Sequence, residues 1–295
     1  MKVLLALDAS TGSQDVVNEV AARPWPTGTA FCLVSIVDAT RWEKMPTLIK
    51  DTEHAAKIFV DAAAQKLDYP GCEVFSEIGL GFPKQLIPAF ARQWKADLIV
   101  VGSRGQNAVT RFFLGSVALA VLRSAPCSVE IVRAKSQESP ASSHGLKILL
   151  ATDGSECSET AARSVAKRPW PAGSQIKVIC ARDLLVLENP TSAASPCPVY
   201  PESLLTEILE DAEKRAQKAA TEAQQILRSA GLEVCDDHNL PVGDPRSIIL
   251  DEAHAWGANL IVLGSHGRHG LDRMLLGSVS ESVAMHAHCS VEVIR

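Results

Sequence analysis

The chain has 295 residues, 46% of them hydrophobic and 21% charged, with a formal net charge of −5. Such a composition excludes an intrinsically disordered chain, and the length fits about two domains of ordinary size. Residues 1–134 carry 14 basic and 13 acidic groups and the remainder 15 and 21; neither half has a nucleic-acid binder's cationic excess, and no apolar run nears the roughly 20 residues that span a bilayer.

The N-terminal run Met1-Lys2-Val3-Leu4-Leu5-Ala6-Leu7-Asp8 is interrupted by an acid and reads as a strand rather than a signal peptide, so a cytoplasmic location is expected. Short β-branched runs near 2–8, 29–37, 72–78, 97–102 and 127–132 alternate with helical patterns. Residues 135–145 are Ser-rich, lack apolar periodicity and read as a flexible linker. Strands then recur near 147–152, 175–181, 232–238, 259–264 and 289–294, with an amphipathic helix over 203–229 and a Pro- and Ser-rich loop over 188–198. This order predicts an α/β chain of two tandem doubly wound domains, 1–134 and 146–295. Each is expected to be an open five-stranded parallel sheet with helices on both faces.

The halves are copies of one unit. Asp8 and Pro24-Trp25-Pro26 recur 145 residues later as Asp153 and Pro169-Trp170-Pro171. Gly81-Phe82-Pro83, Gly102 and Cys127-Ser128-Val129-Glu130 recur 162 residues later, so the second copy carries about 17 extra residues between its second and third strands.

The chemistry concentrates in a repeated string. Gly102-x2-Gly105-x9-Gly115-Ser116 follows the apolar run 98–101, and Gly264-x2-Gly267-x9-Gly277-Ser278 follows 260–263, each leading into a helical pattern. Glycines let backbone amides approach an anion, and a helix opening on Gly-Ser adds unpaired N–H groups and a hydroxyl. A strand followed by Gly-x-x-Gly is also an ordinary tight turn, but a string repeated with no change in length favours an anion site. Ser103 and Ser265 are retained between the glycines, so a hydroxyl is expected to serve in both copies. Each charge-assisted hydrogen bond to phosphate contributes about 1.5–3 kcal/mol, and several together supply micromolar affinity.

Asp8 and Asp153 close the first strand of each copy. There a carboxylate can accept from a ribose hydroxyl or adenine, help hold magnesium, or cap the following helix. His266, His269, His286 and His288 read as solvated rather than metal-binding, while Arg268, Arg273 and Arg111 are candidates to neutralise phosphate or face water. The eight cysteines include no CxxC, and six fall in predicted strands, where a thiol acts as a small buried hydrophobe. A P-loop lysine, a dinucleotide fingerprint and a G-x-S-x-G elbow are all missing, so no strong hydrolytic machinery is visible.

With these residues in view the chain resembles a tandem-type universal stress protein. Gly264-Ser265-His266-Gly267-Arg268-His269-Gly270 through Gly277-Ser278-Val279-Ser280 is close to a family consensus, and Cys289-Ser290-Val291-Glu292-Val293-Ile294 is similar to the family's last strand. The resemblance implies an ATP-binding branch. Adenine would lie against Asp8 and Ile36 in copy one and against Asp153 and Ala181 in copy two. Ribose and phosphates would run over Gly102, Ser103, Arg104, Gly105, Gly115, Ser116 and Val117, and over Gly264, Ser265, His266, Gly267, Arg268, Gly277, Ser278 and Val279. The resemblance implies ATP or a related adenine nucleotide, with magnesium, and a stress-response role with at most weak ATPase or autophosphorylation. A nucleotide-free dimerisation module and a genuine ATP-hydrolysing enzyme are the alternatives. Copy one departs by carrying Ala9 where copy two has Gly154. The family's pairing through its last strand implies that the copies pack about a pseudo-twofold axis, with further homodimerisation.

Overall fold

The computed structural model describes residues 1–38, 46–67, 71–105, 114–134, 145–182, 202–237, 240–268 and 276–295. The expected linker over 135–144, the Pro- and Ser-rich loop 188–198, Arg111, His269 and Arg273 lie outside the described residues. The first half runs β1 (Lys2–Leu7), α1 (Thr11–Ala21), β2 (Ala30–Val37), α2 (Pro46–Gln65), β3 (Glu73–Leu80), α3 (Pro83–Trp94), β4 (Leu98–Gly102), α4 (Ser116–Ser124), β5 (Ser128–Val132). The second repeats it as β6 (Lys147–Ala151), α5 (Glu156–Lys167), β7 (Gln175–Ile179), α6 (Glu202–Ser229), β8 (Glu233–Val234), α7 (Pro245–Trp256), β9 (Leu260–Gly264), α8 (Ser278–His286), β10 (Ser290–Ile294).

Each half has the five parallel strands expected, but the sheets are continuous. The order is β3-β2-β1-β4-β5-β10-β9-β6-β7-β8, joined where β5 and β10 pair antiparallel with Val129 opposite Val293 and Glu130 opposite Glu292. The pairing through the last strands is therefore intramolecular. One expected strand shrinks: β8 pairs with β7 only at Glu233 and Val234. The chain then meets Asp236 and Asp237, residues disfavoured in strands, which pair with Arg228 and Lys177. β3, by contrast, pairs with β2 along all eight residues.

The helices begin where their caps dictate. Ser10 and Ser155 accept from the amides of Ser13 and Ser158, both at 3.2 Å, and Pro83 and Pro245 open α3 and α7. The repeated Pro-Trp-Pro closes α1 and α5. Trp25 and Trp170 donate from Nε1 to Val20 and Val165 carbonyls, and their rings lie under Arg23 and Arg168. Those arginines reach the junction, where Arg23 pairs with Glu130 at 2.6 Å and Arg168 with Glu292 at 2.8 Å, all four side chains being buried.

A second device locks the halves. Arg133, the first residue after β5, donates to the carbonyls of Ala284 and Met285 in the last turn of α8; Arg295, after β10, donates to those of Leu122 and Arg123 in α4. Each cation sits at the other half's helix C-terminus, where the dipole favours it. On the α3, α4, α7 and α8 face the apolar core is continuous across the junction, whereas the opposite face holds two separate cores.

Ala9 adopts a left-handed φ of 58°, as Gly154 does at 76°. A non-glycine residue there costs about 1–2 kcal/mol, so Ala9→Gly is expected to stabilise the chain by about 0.5–1 kcal/mol in urea denaturation.

Candidate functional site

In each half the connections diverge to opposite faces beside the first strand, leaving a crevice at the carboxyl ends of β1 and β4 and of β6 and β9. The glycine loops lie there. Their first glycines serve packing: a Cβ on Gly264 would stand 2.7 Å from the backbone carbon of Cys157 in α5, and one on Gly102 would stand 3.0 Å from the Gly12 oxygen in α1. The second glycines clear the carboxylates, since a Cβ on Gly105 or Gly267 would lie 2.6 or 2.8 Å from Oδ2 of Asp8 or Asp153.

Asp153 braces its loop, accepting from the amide of Arg268 at 3.0 Å as well as from that of Ser155 at 2.9 Å, whereas Asp8 accepts at the start of α1, from the amide of Ser10 at 3.1 Å and the Ser13 hydroxyl at 2.8 Å. Helix capping, one of the roles open to Asp8 and Asp153, belongs to Ser10 and Ser155 instead.

The serines between the glycines are framework. Ser103 and Ser265 donate their amides to Val132 and Ile294 at 2.8 Å, and their carbonyls accept the amides of Gly115 and Gly277, also at 2.8 Å. Both are buried, and Ser265 Oγ turns to His266 Nδ1 at 2.9 Å, so the expected ligand hydroxyl at 265 faces protein. His266 is not the solvated loop histidine expected. Its Nε2 is buried without a partner, and burial, with Arg295 adding repulsion, lowers its pKa below the ordinary imidazole value, so the ring is neutral at pH 7.

The second copy encloses a cavity of about 750 Å³. Asp153, Ala181, Gly264, His266, Gly267, Arg268, Gly277, Ser278 and Val279 line it, leaving only Ser265 of the residues expected there outside its wall. α8 enters the cavity with no side chain capping its first turn, so the amides after Gly277 and the exposed Ser278 face open space. In copy one α4 is likewise uncapped at Gly115, with Ser116 and Gly105 exposed and Ile36, Arg104 and Val117 half-buried around the loop.

Sequence reasoning missed part of the wall. Arg215 of α6, Asp244 and Arg246 at the start of α7, Ile249 and Ser280 also line the cavity. Ser280 donates to the Gly264 carbonyl at 2.7 Å, where copy one has Ala118. Among the described residues no group of three or more His, Cys, Asp or Glu side chains converges as a metal site, and no helix is long and apolar enough to cross a membrane. The described cysteines are free thiols; burial pushes Cys32 and Cys180 up to about 11 and Cys127 and Cys289 to about 12.

The universal stress protein family model matches residues 1–133 and 146–295, and the chain belongs to that family. A universal stress protein of Mycobacterium tuberculosis (strain ATCC 25618 / H37Rv) is 31% identical over 202 residues, which is 68% of this chain but only 62% of that relative. Universal stress protein A homolog 2 of Coxiella burnetii is 39% identical over 89 residues, 30% of this chain and 54% of its own length. Among solved structures, a universal stress protein from Archaeoglobus fulgidus DSM 4304 superposes with a TM-score of 0.64 at 21% identity, covering 100% of this chain and 96% of that one. A putative universal stress protein from Pseudomonas aeruginosa UCBPP-PA14 gives 0.64 at 18%, covering 99% and 92%. The last two speak for the fold.

Proposed function

We propose that this chain is a stress-response protein that binds ATP or a related adenine nucleotide as a regulatory module, in units spanning 1–134 and 146–295. Family membership supports the stress-response role. One observation carries the nucleotide: a cavity of about 750 Å³ into which an uncapped helix N-terminus and the Arg268 side chain open together. The amides after Gly277 and the Ser278 hydroxyl meet the phosphates, while Ile179 and Ala181 give the base an apolar floor. Asp153, on the cavity wall, accepts from a ribose hydroxyl or from adenine, or helps hold magnesium, while it braces the loop. With no lysine among the described residues that line the cavity, we read the site as one that holds the nucleotide, with a partner reading the ordered loop.

Calorimetry of the full chain with ATP is expected to show micromolar binding, weakened about tenfold or more in Arg268→Ala through loss of one charged contact. No heat with ATP, ADP or AMP would reject the reading. The proposal includes a cytoplasmic location and a homodimer; light scattering giving a single 31.6 kDa mass would dismiss the dimer.

A further inference from the structure

Three arginines line the cavity of the second copy, and they come from three separate elements. Arg268 belongs to the glycine loop after β9, Arg215 to α6, and Arg246 to the first turn of α7. α6 packs in the core shared with α5, and α7 in the core shared with α8, so Arg215 and Arg246 approach from opposite faces of the sheet. They also stand on a different side of the cavity from the loop. α7 follows β8, Val242 just before it bridges Arg182 beyond β7, and β6 and β7 separate β8 from β9. Three strand spacings put those tracks about 14 Å apart. Between them lie Ile179, Ala181, Leu263 and Ile249, an apolar floor.

We propose that Arg215 and Arg246 form a second anion subsite, so that this cavity takes adenine nucleotides carrying a phosphate group outside the 5′ chain. The proposal rests on the nucleotide reading above. With the 5′ phosphates over Ser278 and the base on the apolar floor, a phosphate monoester on the ribose 2′ or 3′ oxygen is the group that the two guanidiniums meet, and it is close to dianionic near neutral pH.

Both arginines are available to a ligand. Arg246 gives Nε to Asp244, at 2.9 Å, and among the described residues its terminal nitrogens have no partner. Arg215 pairs with Asp211 one turn earlier on α6. These pairs are about half exposed, and exposed pairs hold weakly, so a phosphate displaces or joins them. The subsite is particular to the second copy. Ala56, Ala63, Leu67 and Glu73 correspond to Ala216, Ala223, Leu227 and Glu233 with an offset of 160, which sets Ala55 against Arg215. The offset of 162 sets Phe82 against Asp244 and Lys84 against Arg246.

Calorimetry on the full chain tests this with AMP against adenosine 2′,5′-bisphosphate and adenosine 3′,5′-bisphosphate. At least one bisphosphate is expected to bind about tenfold or more tightly than AMP, and which one does so identifies the position of the second phosphate. Arg215→Gln with Arg246→Gln should erase that preference. Lys214→Gln with Lys218→Gln, which alters charge on α6 outside this cavity, should keep it. Equal affinities for AMP and both bisphosphates, or a preference that survives the arginine variant, overturns the subsite while leaving simple nucleotide binding intact. Absence of binding by every probe overturns both.

Discussion

Replacing Arg23 with alanine is expected to destabilise the chain by about 3–5 kcal/mol near neutral pH, because it strands a buried carboxylate. Glu130 is 0% exposed, and its two oxygens accept from Arg23 at 2.6 and 2.7 Å. Glu292 faces it across the antiparallel junction, and Glu19 adds a third carboxylate nearby. Burial raises the Glu130 pKa, the other carboxylates raise it further, and Arg23 pulls it down. Without Arg23 the folded-state pKa moves further above the unfolded value of about 4.3. Above the folded pKa the group is ionised in both states, and folding must then bury a charged acid with no partner. Below the unfolded pKa the group is protonated in both states and the penalty vanishes. The deficit relative to the parent chain should therefore shrink as pH falls from about 7 toward about 4. Urea denaturation at both ends of that range decides it; a deficit independent of pH would assign Arg23 a packing role on Trp25 alone. Arg23→Met with Glu130→Leu should recover most of the loss, since a matched apolar pair leaves no orphan charge.

Gly264→Val is expected to cost about 2–4 kcal/mol whether or not nucleotide is present. Its added Cβ would stand 2.7 Å from backbone carbon and 2.9 Å from the Cβ of Cys157, and neither belongs to a flexible side-chain end. The first turn of α5 would have to lift from β9, taking Ser155 and the Asp153 brace with it. Thermal melts without ligand read this directly. An unchanged midpoint with ATP binding lost would move the role of Gly264 from helix packing to ligand contact.

Much of the fold was legible because it was written twice. Two sets of apolar runs at matching offsets marked nine of the ten strands well, and alternation of small apolar residues over 203–229 marked α6. The third strand of the second copy failed because its β-prone start runs into Asp236-Asp237, whose charges pair sideways. The glycine string lies at the carboxyl ends of β4 and β9, and its ends are pinned by the protein's own bonds: Gly277 to Ser265, Ser265 to Ile294, and the same set in copy one.

What the sequence hid was long-range. Arg23 and Glu130 are 107 positions apart and carry no local signature. Arg215 sits on an amphipathic helix among Asp211, Lys214 and Lys218, where periodicity assigns every charge to solvent. Only the fold shows that this part of the helix flanks a cavity. Arg246 followed the repeated Gly-x-Pro, which was legible as a helix start but not as a wall.

The antiparallel seam between β5 and β10 has a consequence for recognition. Strands of the two halves run in opposite senses, so the two crevices open at opposite ends of the sheet. A flat protein docked on one end would cover one crevice only. Covering both would take a clasp that reaches around the molecule, or two separate partners facing each other across it.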